Sequence, residues 1–527
     1  MPNHGELPEL AATVLQPGFT GTTAPDWVRR WLGEGLGGVA LFARNVESPA
    51  QVAALTAQLR AERPDVIVAI DEEAGDVTRF ESRHGSSRPG NLALGAIDDA
   101  ELTETVARDL GVELAAAGIT LDYAPDADVN SNPNNPVIGV RAFGAESGLV
   151  ARHSAAFVRG LQAAGVAACA KHFPGHGDTS VDSHHDVPLI ARGRAELDAC
   201  ELVPFRAAIA AGVRAVMTGH LRVPAYDPQL PATLSPAILT DLLRGELGFA
   251  GLIVTDGIEM QAVRRAYGLA GATVRALAAG ADAICVGGDH ADEQTATRLR
   301  DAIVAAVRGG DLTEERLRDA AARVRRLGAW ATGAQVRTGA RALADGAAAA
   351  REVAVLGGGS VVGYDAARRA VKVTLGEAGT GAALPVERPA HVVEFAPPRN
   401  IAIGEETPWG VGAPLDGLLP GTTSVRLTAD DLAGVADPVA PVLDGAAGRP
   451  LVLVVRDVHR HAWVADALDR VLAIRPDAIV VEMGVPVAVV GGVHIATYGA
   501  TRACGRAAAE VIAGTGVPAP TPQPLAA

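Results

Sequence analysis

The stretch VAACAKHFPGHGDTSVDSHHDVP, residues 166–188, begins as an apolar run and continues as a loop crowded with ionisable side chains. The run 166–173 has the length and apolar character of a buried strand. Gly175 and Gly177 favour a loop after this strand rather than a helix. Residues 171–188 hold one lysine, four histidines and three aspartates. Functional side chains concentrate in such loops, so this loop is the first candidate for a site.

Six further apolar runs alternate with amphipathic helical segments, which predicts parallel strands joined by crossover helices. The runs are GGVALFA (37–43), DVIVAIDEE (65–73), ITLDYAPDADV (119–129), AVMTGHL (215–221), LIVTDG (252–257) and ADAICVG (281–287), with LAATVLQPGF near the start as a candidate eighth strand. Polar residues recur toward the carboxyl ends of the runs, among them Asp71, Asp126, Lys171, His220 and Asp256. Those ends form the active-site face of a (β/α)8 barrel, so the pattern predicts an α/β fold with a TIM barrel.

A second α/β series follows the barrel. Residues 312–328, LTEERLRDAAARVRRLG, offer Thr313 as an N-cap and acidic residues in the first turn, and they predict the closing helix of a barrel domain at 1–335. The Ala/Gly-rich residues 336–350 are the predicted linker. Residues 351–527 predict a smaller doubly wound α/β sandwich, because five apolar runs recur there: REVAVLGGG, ARRAVKVTLG, HVVEFAPP, RPLVLVVRD and PDAIVVEMGVP.

Composition and charge narrow the classes of function. A chain of 527 residues, 48% of them hydrophobic, is long enough for two or three domains with buried cores. A net charge of -15 without a basic cluster argues against nucleic acid as a partner, because phosphates attract positive surfaces. Four scattered cysteines without a CxxC pair suit a reducing compartment. No secretory signal and no membrane-spanning apolar stretch is visible, so we expect a soluble, cytoplasmic protein without membrane contact.

The histidine-rich loop allows other interpretations. Its histidines would be purely structural if they only satisfied backbone groups. A metal-dependent TIM-barrel hydrolase is a sharper alternative, because the loop contains metal-type ligands: His172, His176, Asp182, His184 and His185. The chain lacks an HxH at the end of an early strand and an HExxH helix. We therefore expect neither a metal nor another cofactor.

Four segments together resemble glycoside hydrolase family 3, and within it the two-domain form of the bacterial β-N-acetylglucosaminidase branch. The most specific segment is KHFPGHG followed by DSH. The others are AIDEEAGDVTRF (69–80), NPVIGVRAFG (135–144) and LIVTDGIEM (252–260), so the resemblance spans most of residues 10–335 in family order. The second domain resembles the family more loosely, through VVEMGVP and YGATRACGRAAAE.

The resemblance implies roles for the reacting groups. Asp256, at the end of LIVT, matches the nucleophile, although an Asp after a strand is also a common helix N-cap. His184 matches the acid/base and Asp182 the carboxylate that holds it, since a neighbouring carboxylate favours the imidazolium and orients the ring. The spacing of the family favours His184 over the adjacent His185.

The resemblance also implies a set of sugar-binding residues, each of which would otherwise be read as a surface ion pair: Asp71, Arg79, Arg141, Lys171 and His172. Two positions depart from the family pattern. Ala74 stands where a second glycine is common, which adds a methyl group near the sugar loop. Gly257 stands where Asp or Ala is frequent.

The resemblance implies a retaining exo-β-N-acetylglucosaminidase that acts on cell-wall or chitin-derived oligosaccharides through a glycosyl-aspartate intermediate. A phosphorylase, with inorganic phosphate as the acceptor, is the alternative, because a histidine acid/base would not repel the phosphate dianion. A non-catalytic sugar-binding protein is disfavoured, since binding alone requires neither a nucleophile nor a proton shuttle. The sequence assigns no aglycone, no oligomeric state and no role to the second domain.

Overall fold

The computed structural model describes most of the chain and divides it into two compact units. The described residues are 6–180, 187–288, 291–344, 359–376, 383–398, 400, 402–404, 406–433, 435, 437, 439–515 and 523–524. The first unit contains Met1–Glu73, Asp99–Ile138 and Ala142–Gly359. The second contains Ala74–Asp98, Gly139–Arg141 and Ser360–Ala527.

The first unit is a barrel of eight parallel strands, as the apolar runs predict. Its strands are β1 (Leu15–Pro17), β2 (Gly38–Leu41), β3 (Ile67–Ile70), β4 (Leu121–Asp122), β5 (Ala167–Phe173), β6 (Ala215–Thr218), β7 (Leu252–Thr255) and β8 (Ile284–Val286). Strands β2 to β7 pair in chain order, and β1 pairs with β8. The amide of Asp282, just before β8, donates to the carbonyl of Ile253 on β7 at 2.7 Å. The predicted TIM barrel is confirmed.

Helices connect the strands of the first unit. Side chains at several N-caps accept amide protons of the first turn, as Ser48 does from Gln51 and Asp99 from Leu102. The α-helices are Leu7–Thr13, Asp26–Gly33, Pro49–Glu62, Ala100–Ala116, Ser147–Ala163, Arg194–Ala199, Leu202–Ala210, Gln261–Ala279, Glu293–Gly309 and Glu314–Ala344, with a π-helix at Ala237–Glu246.

The barrel interior sets the direction of the polar side chains at its carboxyl end. Alternate residues of three strands lie in one apolar core: Ile67 and Ala69 of β3, Ala167 and Cys169 of β5, Leu252 and Val254 of β7. Successive side chains of a strand point to opposite faces, so the next inward-facing position lies two residues on. These positions are Asp71, Lys171 and Asp256. The alternation that builds the core therefore also turns these three residues toward the barrel axis.

The second unit is an α/β sandwich with a seven-stranded sheet. Its strands are β9 (Lys372–Leu375), β10 (His391–Phe395), β11 (Thr423–Leu427), β12 (Leu451–Val455), β13 (Ile479–Glu482), β14 (Val493–Ala496) and β15 (Gln523–Pro524). The spatial order is β11-β10-β12-β13-β14-β9-β15, and within it β9 runs antiparallel to β14. Its α-helices are Asn91–Ile97, Val361–Ala370, Gly412–Leu418, Ala429–Leu432, Ala440–Leu443, Ala462–Ile474 and Arg502–Ala513.

Both faces of this sheet are buried. On β12, Val452 and Val454 belong to one apolar core, whereas Leu451, Leu453 and Val455 belong to another. Alternate residues point to opposite faces, so an apolar layer covers each side, as a doubly wound sheet requires. The predicted smaller α/β domain is confirmed.

The two units of the structure do not follow one another simply along the chain, as the sequence-based domains do. Residues 74–98 and 139–141 group with the second unit although the chain before and after them belongs to the barrel unit. Helix Glu314–Ala344 extends into the predicted linker 336–350, of which residues 345–350 lie outside the described residues. The boundaries at 335 and 351 stay predictions. None of the helices in the described part of the chain has the length and apolar character needed to cross a bilayer.

Candidate active site

A buried lysine with two carboxylate partners lies at the carboxyl end of β3 and β5. Lys171 Nζ lies 2.5 Å from Asp71 Oδ1 and 2.7 Å from Glu73 Oε1. The Lys171 and Glu73 side chains are almost completely buried, whereas Asp71 keeps a quarter of its side chain exposed. A buried ammonium needs such partners because desolvation is costly. The pairing fixes Lys171 and leaves Asp71 accessible.

Asp256 follows β7 directly and is partly exposed. The amide of Gly257 donates to Asp256 Oδ1 at 2.7 Å, and the amide of Asp256 donates to the carbonyl of Thr218 at 3.2 Å. Burial raises the pKa of the Cys169 thiol in the barrel interior, Lys171 lowers it, and Asp71 and Asp256 raise it further. Asp71 and Asp256 follow strands β3 and β7 and Lys171 lies near the end of β5, which places the three charged groups at the carboxyl end of the same barrel.

Asp128 holds the start of the histidine-rich loop. Its Oδ1 accepts from the amides of His172 and His176, at 3.2 and 2.6 Å, and its Oδ2 lies 2.8 Å from His172 Nδ1. Burial alone would raise the pKa of Asp128, but His172 and His176 lower it overall. His176 Nδ1 lies 2.7 Å from Thr179 Oγ1. The carboxylate thus orients the His172 ring and fixes the turn that follows β5.

His220 connects β6 to the loop that carries Asp256. The side chain is buried, and its Nε2 donates to the carbonyl of Gly257 at 2.9 Å. Its Nδ1 lies 2.8 Å from Thr233 Oγ1. Since a carbonyl only accepts, Nε2 carries a proton, and the ring holds the residue after Asp256 in place.

The predicted acid/base residues Asp182 and His184, and the neighbouring His185, lie outside the described residues. The chain on either side of them is described. Asp178 precedes this segment and Arg192 follows it, and the Arg192 guanidinium donates to both carboxylate oxygens of Asp178.

Two of the predicted sugar-binding residues belong to the second unit. Arg79 donates from Nη1 to the carbonyl of Ala402 at 2.8 Å. Arg141 is buried, and its carbonyl accepts from Asn91 Nδ2 at 2.7 Å. The structure therefore brings Asp71, Lys171 and Asp256 together in the barrel unit and assigns both arginines to the other unit.

One group of potential metal ligands occurs among the described residues. Ligand atoms of Asp126, Asp128 and His172 lie within 4.8 Å of one another. Both oxygens of Asp128 are already engaged by His172 and His176, which gives this carboxylate a structural role. Of the loop residues considered as metal ligands from the sequence, Asp182, His184 and His185 lie outside the described residues, so the metal interpretation stays a prediction.

Three residues of the site, Glu73, Asp128 and Arg192, were not proposed from the sequence, and for His220 only the place at a strand end was predicted. Glu73 lies two residues after Asp71 on the same inward-facing pattern, and Asp128 lies two residues after Asp126, so alternation was an available signal for both. His220 and Arg192 act through contacts with residues distant in sequence, Gly257 and Asp178 respectively, which no local pattern indicates.

Residues 22–327, more than half of the chain, match the model of the Glycosyl hydrolase family 3 N terminal domain. The chain belongs to glycoside hydrolase family 3. The match covers strands β2 to β8 of the barrel and includes Asp71, Glu73, Lys171 and Asp256. The protein is therefore an enzyme of the glycoside hydrolase class.

Relatives within this family are similar over different lengths. Beta-hexosaminidase A of Pseudoalteromonas piscicida is 39% identical over 269 residues, which cover 47% of this chain and only 45% of that longer relative. A beta-hexosaminidase of Nitrosomonas eutropha is 40% identical over 286 residues, covering 52% of this chain and 81% of the relative. The structure of a family 3 beta-N-acetylglucosaminidase from Paenibacillus sp. str. FPU-7 has a TM-score of 0.81 and 34% identity, and covers 97% of both chains.

Proposed function

We propose that this family 3 enzyme is a retaining exo-β-N-acetylglucosaminidase that removes terminal N-acetylglucosamine through a glycosyl-Asp256 intermediate. The observation that supports the proposal most directly is the position of Asp256 at the barrel mouth, on the inward-facing pattern shared with Asp71 and Lys171. A solved relative that covers 97% of this chain at 34% identity is a beta-N-acetylglucosaminidase, and the curated relatives named above are beta-hexosaminidases.

The charge of the site suits the reaction. Lys171 contributes one positive charge, and Asp71, Glu73 and Asp256 contribute three negative charges when ionised. Glycoside cleavage passes through an oxocarbenium-like state with positive charge on the sugar ring. A negative barrel mouth therefore stabilises the transition state more than the neutral substrate.

In the first step, a carboxylate oxygen of Asp256 bonds to the anomeric carbon while the glycosidic C–O bond breaks. The imidazolium of His184 gives its proton to the departing oxygen. Asp182 keeps the ring charged and oriented before this transfer. In the second step, neutral His184 takes a proton from water, the water oxygen bonds to the anomeric carbon, and Asp256 leaves as a carboxylate.

The sugar hydroxyls require polar partners that hold the ring during both steps. Asp71 retains an exposed carboxylate portion, while Lys171 is fixed by its two ion pairs and His172 by Asp128. We assign these three residues, with Arg79 and Arg141, to recognition of the terminal sugar. Cell-wall or chitin-derived oligosaccharides in the cytoplasm are the proposed substrates.

Product analysis tests the proposal. The purified enzyme is incubated with an aryl β-N-acetylglucosaminide, with and without inorganic phosphate, and the sugar product and its anomeric configuration are followed by NMR. We expect free N-acetylglucosamine released as the β-anomer under both conditions. A sugar phosphate would assign the phosphorylase reaction instead, and release of the α-anomer would contradict the retaining mechanism.

A further inference from the structure

Glu259 adds a second carboxyl group to the loop that carries Asp256, three residues further along the chain. Glu259 Oε1 accepts from the amide of Gly287, after β8, at 2.9 Å. Glu259 Oε2 is buried and lacks a hydrogen-bond partner among the residues that the structure describes. Buried carboxylate oxygens usually find donors, so this group requires an explanation.

Gly257 provides the space for this carboxyl group. A methyl group placed on Gly257 would lie 3.2 Å from Glu259 Oε1 and 3.4 Å from Glu259 Cδ, which is tighter than ordinary contact. A side chain at 257, which is frequent in the family, would therefore displace the carboxyl group. In this chain, the absence of a side chain at Gly257 leaves room for the carboxyl group of Glu259.

We propose that Glu259 is a positioning residue of the proposed glycosidase reaction: its carboxyl group, packed on Gly257, acts through its charge on Asp256 and makes the first step depend on the ionisation of Glu259. The inference rests on the proposed function, because it requires Asp256 to be the nucleophile. Glu259 itself forms no bond with the substrate in this proposal.

The charged and titratable groups that interact with Glu259 come from three elements. Asp256 lies on its own loop, Cys285 on β8, and Arg44 on the turn after β2. Burial raises the pKa of Glu259 to about 7, with a smaller upward contribution from Asp256 and an opposing one from Arg44. Burial also raises the pKa of the Cys285 thiol, and Glu259 and Asp256 raise it further.

The charges of Glu259, Asp256 and the sugar determine whether ionisation of Glu259 speeds or slows the first step. When Glu259 is ionised it repels anionic Asp256, and the repulsion disappears as Asp256 becomes an uncharged ester. Ionised Glu259 also attracts the positive charge that develops on the sugar. Both effects accelerate the first step at pH values above the pKa of Glu259, and both are lost at pH values below it. Coupling worth one pKa unit changes the rate about tenfold.

The test measures kcat/KM for a dinitrophenyl β-N-acetylglucosaminide, whose leaving group departs without protonation, from about pH 6 to about pH 8. For the natural chain we expect a rise of about tenfold across this range. Glu259→Gln keeps the shape of the side chain and removes its charge, so its profile should be flat at the low-pH level of the natural chain. Glu482→Gln, which changes another buried carboxyl group with a raised pKa, in the second unit, should keep the rise.

A second variant keeps the inference testable if Glu259→Gln does not fold. Gly257→Ala should displace the carboxyl group and shift or remove the rise in kcat/KM. A profile that is flat in the natural chain, or a rise that persists in either variant, would overturn the role of Glu259. If the natural enzyme is inactive on every β-N-acetylglucosaminide, or if Asp256→Ala retains activity, the proposed function fails instead.

Discussion

The Arg192 guanidinium donates to both carboxylate oxygens of Asp178, from Nε at 2.9 Å and from Nη2 at 3.1 Å. Its Nη1 donates to buried Glu201 at 2.8 Å, and Nη2 also reaches the hydroxyl of Ser131. Along the chain, residues 178 and 192 flank the segment that contains Asp182 and His184. This two-pronged pair holds residues 178 and 192 together.

Arg192→Ala is expected to lower stability and activity together. It would leave Glu201 buried without its cationic partner, a change that costs about 3–5 kcal/mol. Arg192→Lys should recover part of the stability and less of the activity, because an ammonium cannot reproduce the two-pronged bond. Thermal unfolding and turnover of an aryl glycoside measure both. The exposed Arg206–Asp198 pair is the control, and Arg206→Ala should cost less than about 1 kcal/mol.

Asp256→Ala is expected to reduce turnover of an aryl β-N-acetylglucosaminide by roughly a thousandfold or more while the protein stays folded. The side chain is partly exposed at the barrel mouth and contributes little to core packing. Mass spectrometry of the natural chain, treated with an activated fluorinated sugar, should find the label on the peptide that contains LIVTDGIEM. A label on any other acidic residue would move the nucleophile elsewhere.

The stability of the second unit is expected to fall as the pH rises from about 4.5 to about 8. Burial, aided by the charge of Asp457, raises the pKa of Glu482 to about 8. In this window the folded chain keeps the proton that the unfolded chain loses, so the free energy of unfolding decreases by about 1.4 kcal/mol per pH unit. Glu482→Gln should remove this part of the slope. Hydrogen exchange of β12 and β13 at several pH values measures it, and equal slopes in both proteins would contradict the assignment.

The sequence predicted those parts of the fold that produce a local signal. All eight barrel strands follow from apolar runs, because strands buried on both faces read as continuous apolar segments. Strands β11, β14 and β15 were not predicted. The strand β11 is mostly exposed and contains Ser424 and Arg426, so it has no apolar run. The strand β14 is buried but has only four residues and contains His494, and β15 has only two residues. The assignment of residues 74–98 to the second unit depends on contacts between distant segments, for example the ion pair of Asp76 with Arg456, 380 residues away.

In the site, too, residues with a local sequence signal were predicted, whereas contacts between distant residues were not. Asp71, Lys171 and Asp256 follow from their places at the ends of inward-facing runs. Two contacts could not be predicted from the sequence: the ion pair of Lys171 with Glu73 and the hydrogen bond of His220 to the Gly257 carbonyl. Nothing in the sequence singled out Glu259 within LIVTDGIEM. The role proposed for its carboxyl group depends on the burial of Oε2 and on the space at Gly257.

Chelation is expected to leave activity unchanged, because the proposed steps use a carboxylate and an imidazole. EDTA treatment followed by dialysis and assay on an aryl glycoside measures this. Among the described residues, Asp126, Asp128 and His172 form the group that could hold an ion. Loss of activity that zinc restores would support the metal-dependent alternative.

The acid/base assignment predicts a dependence on the leaving group. His184→Ala should slow substrates with poor leaving groups by roughly a hundredfold or more, because these leave only when protonated, and activated phenolates by less than about tenfold. Asp182→Ala should resemble a milder His184 variant with its pH profile shifted toward acid, since the imidazolium has lost its anionic partner. His185→Ala is the matched control, one residue along the same loop, and should show no such dependence. Equal slowing of both substrate types by His184→Ala, or the leaving-group pattern in His185→Ala, would assign the proton transfer to another residue while leaving membership of family 3 intact.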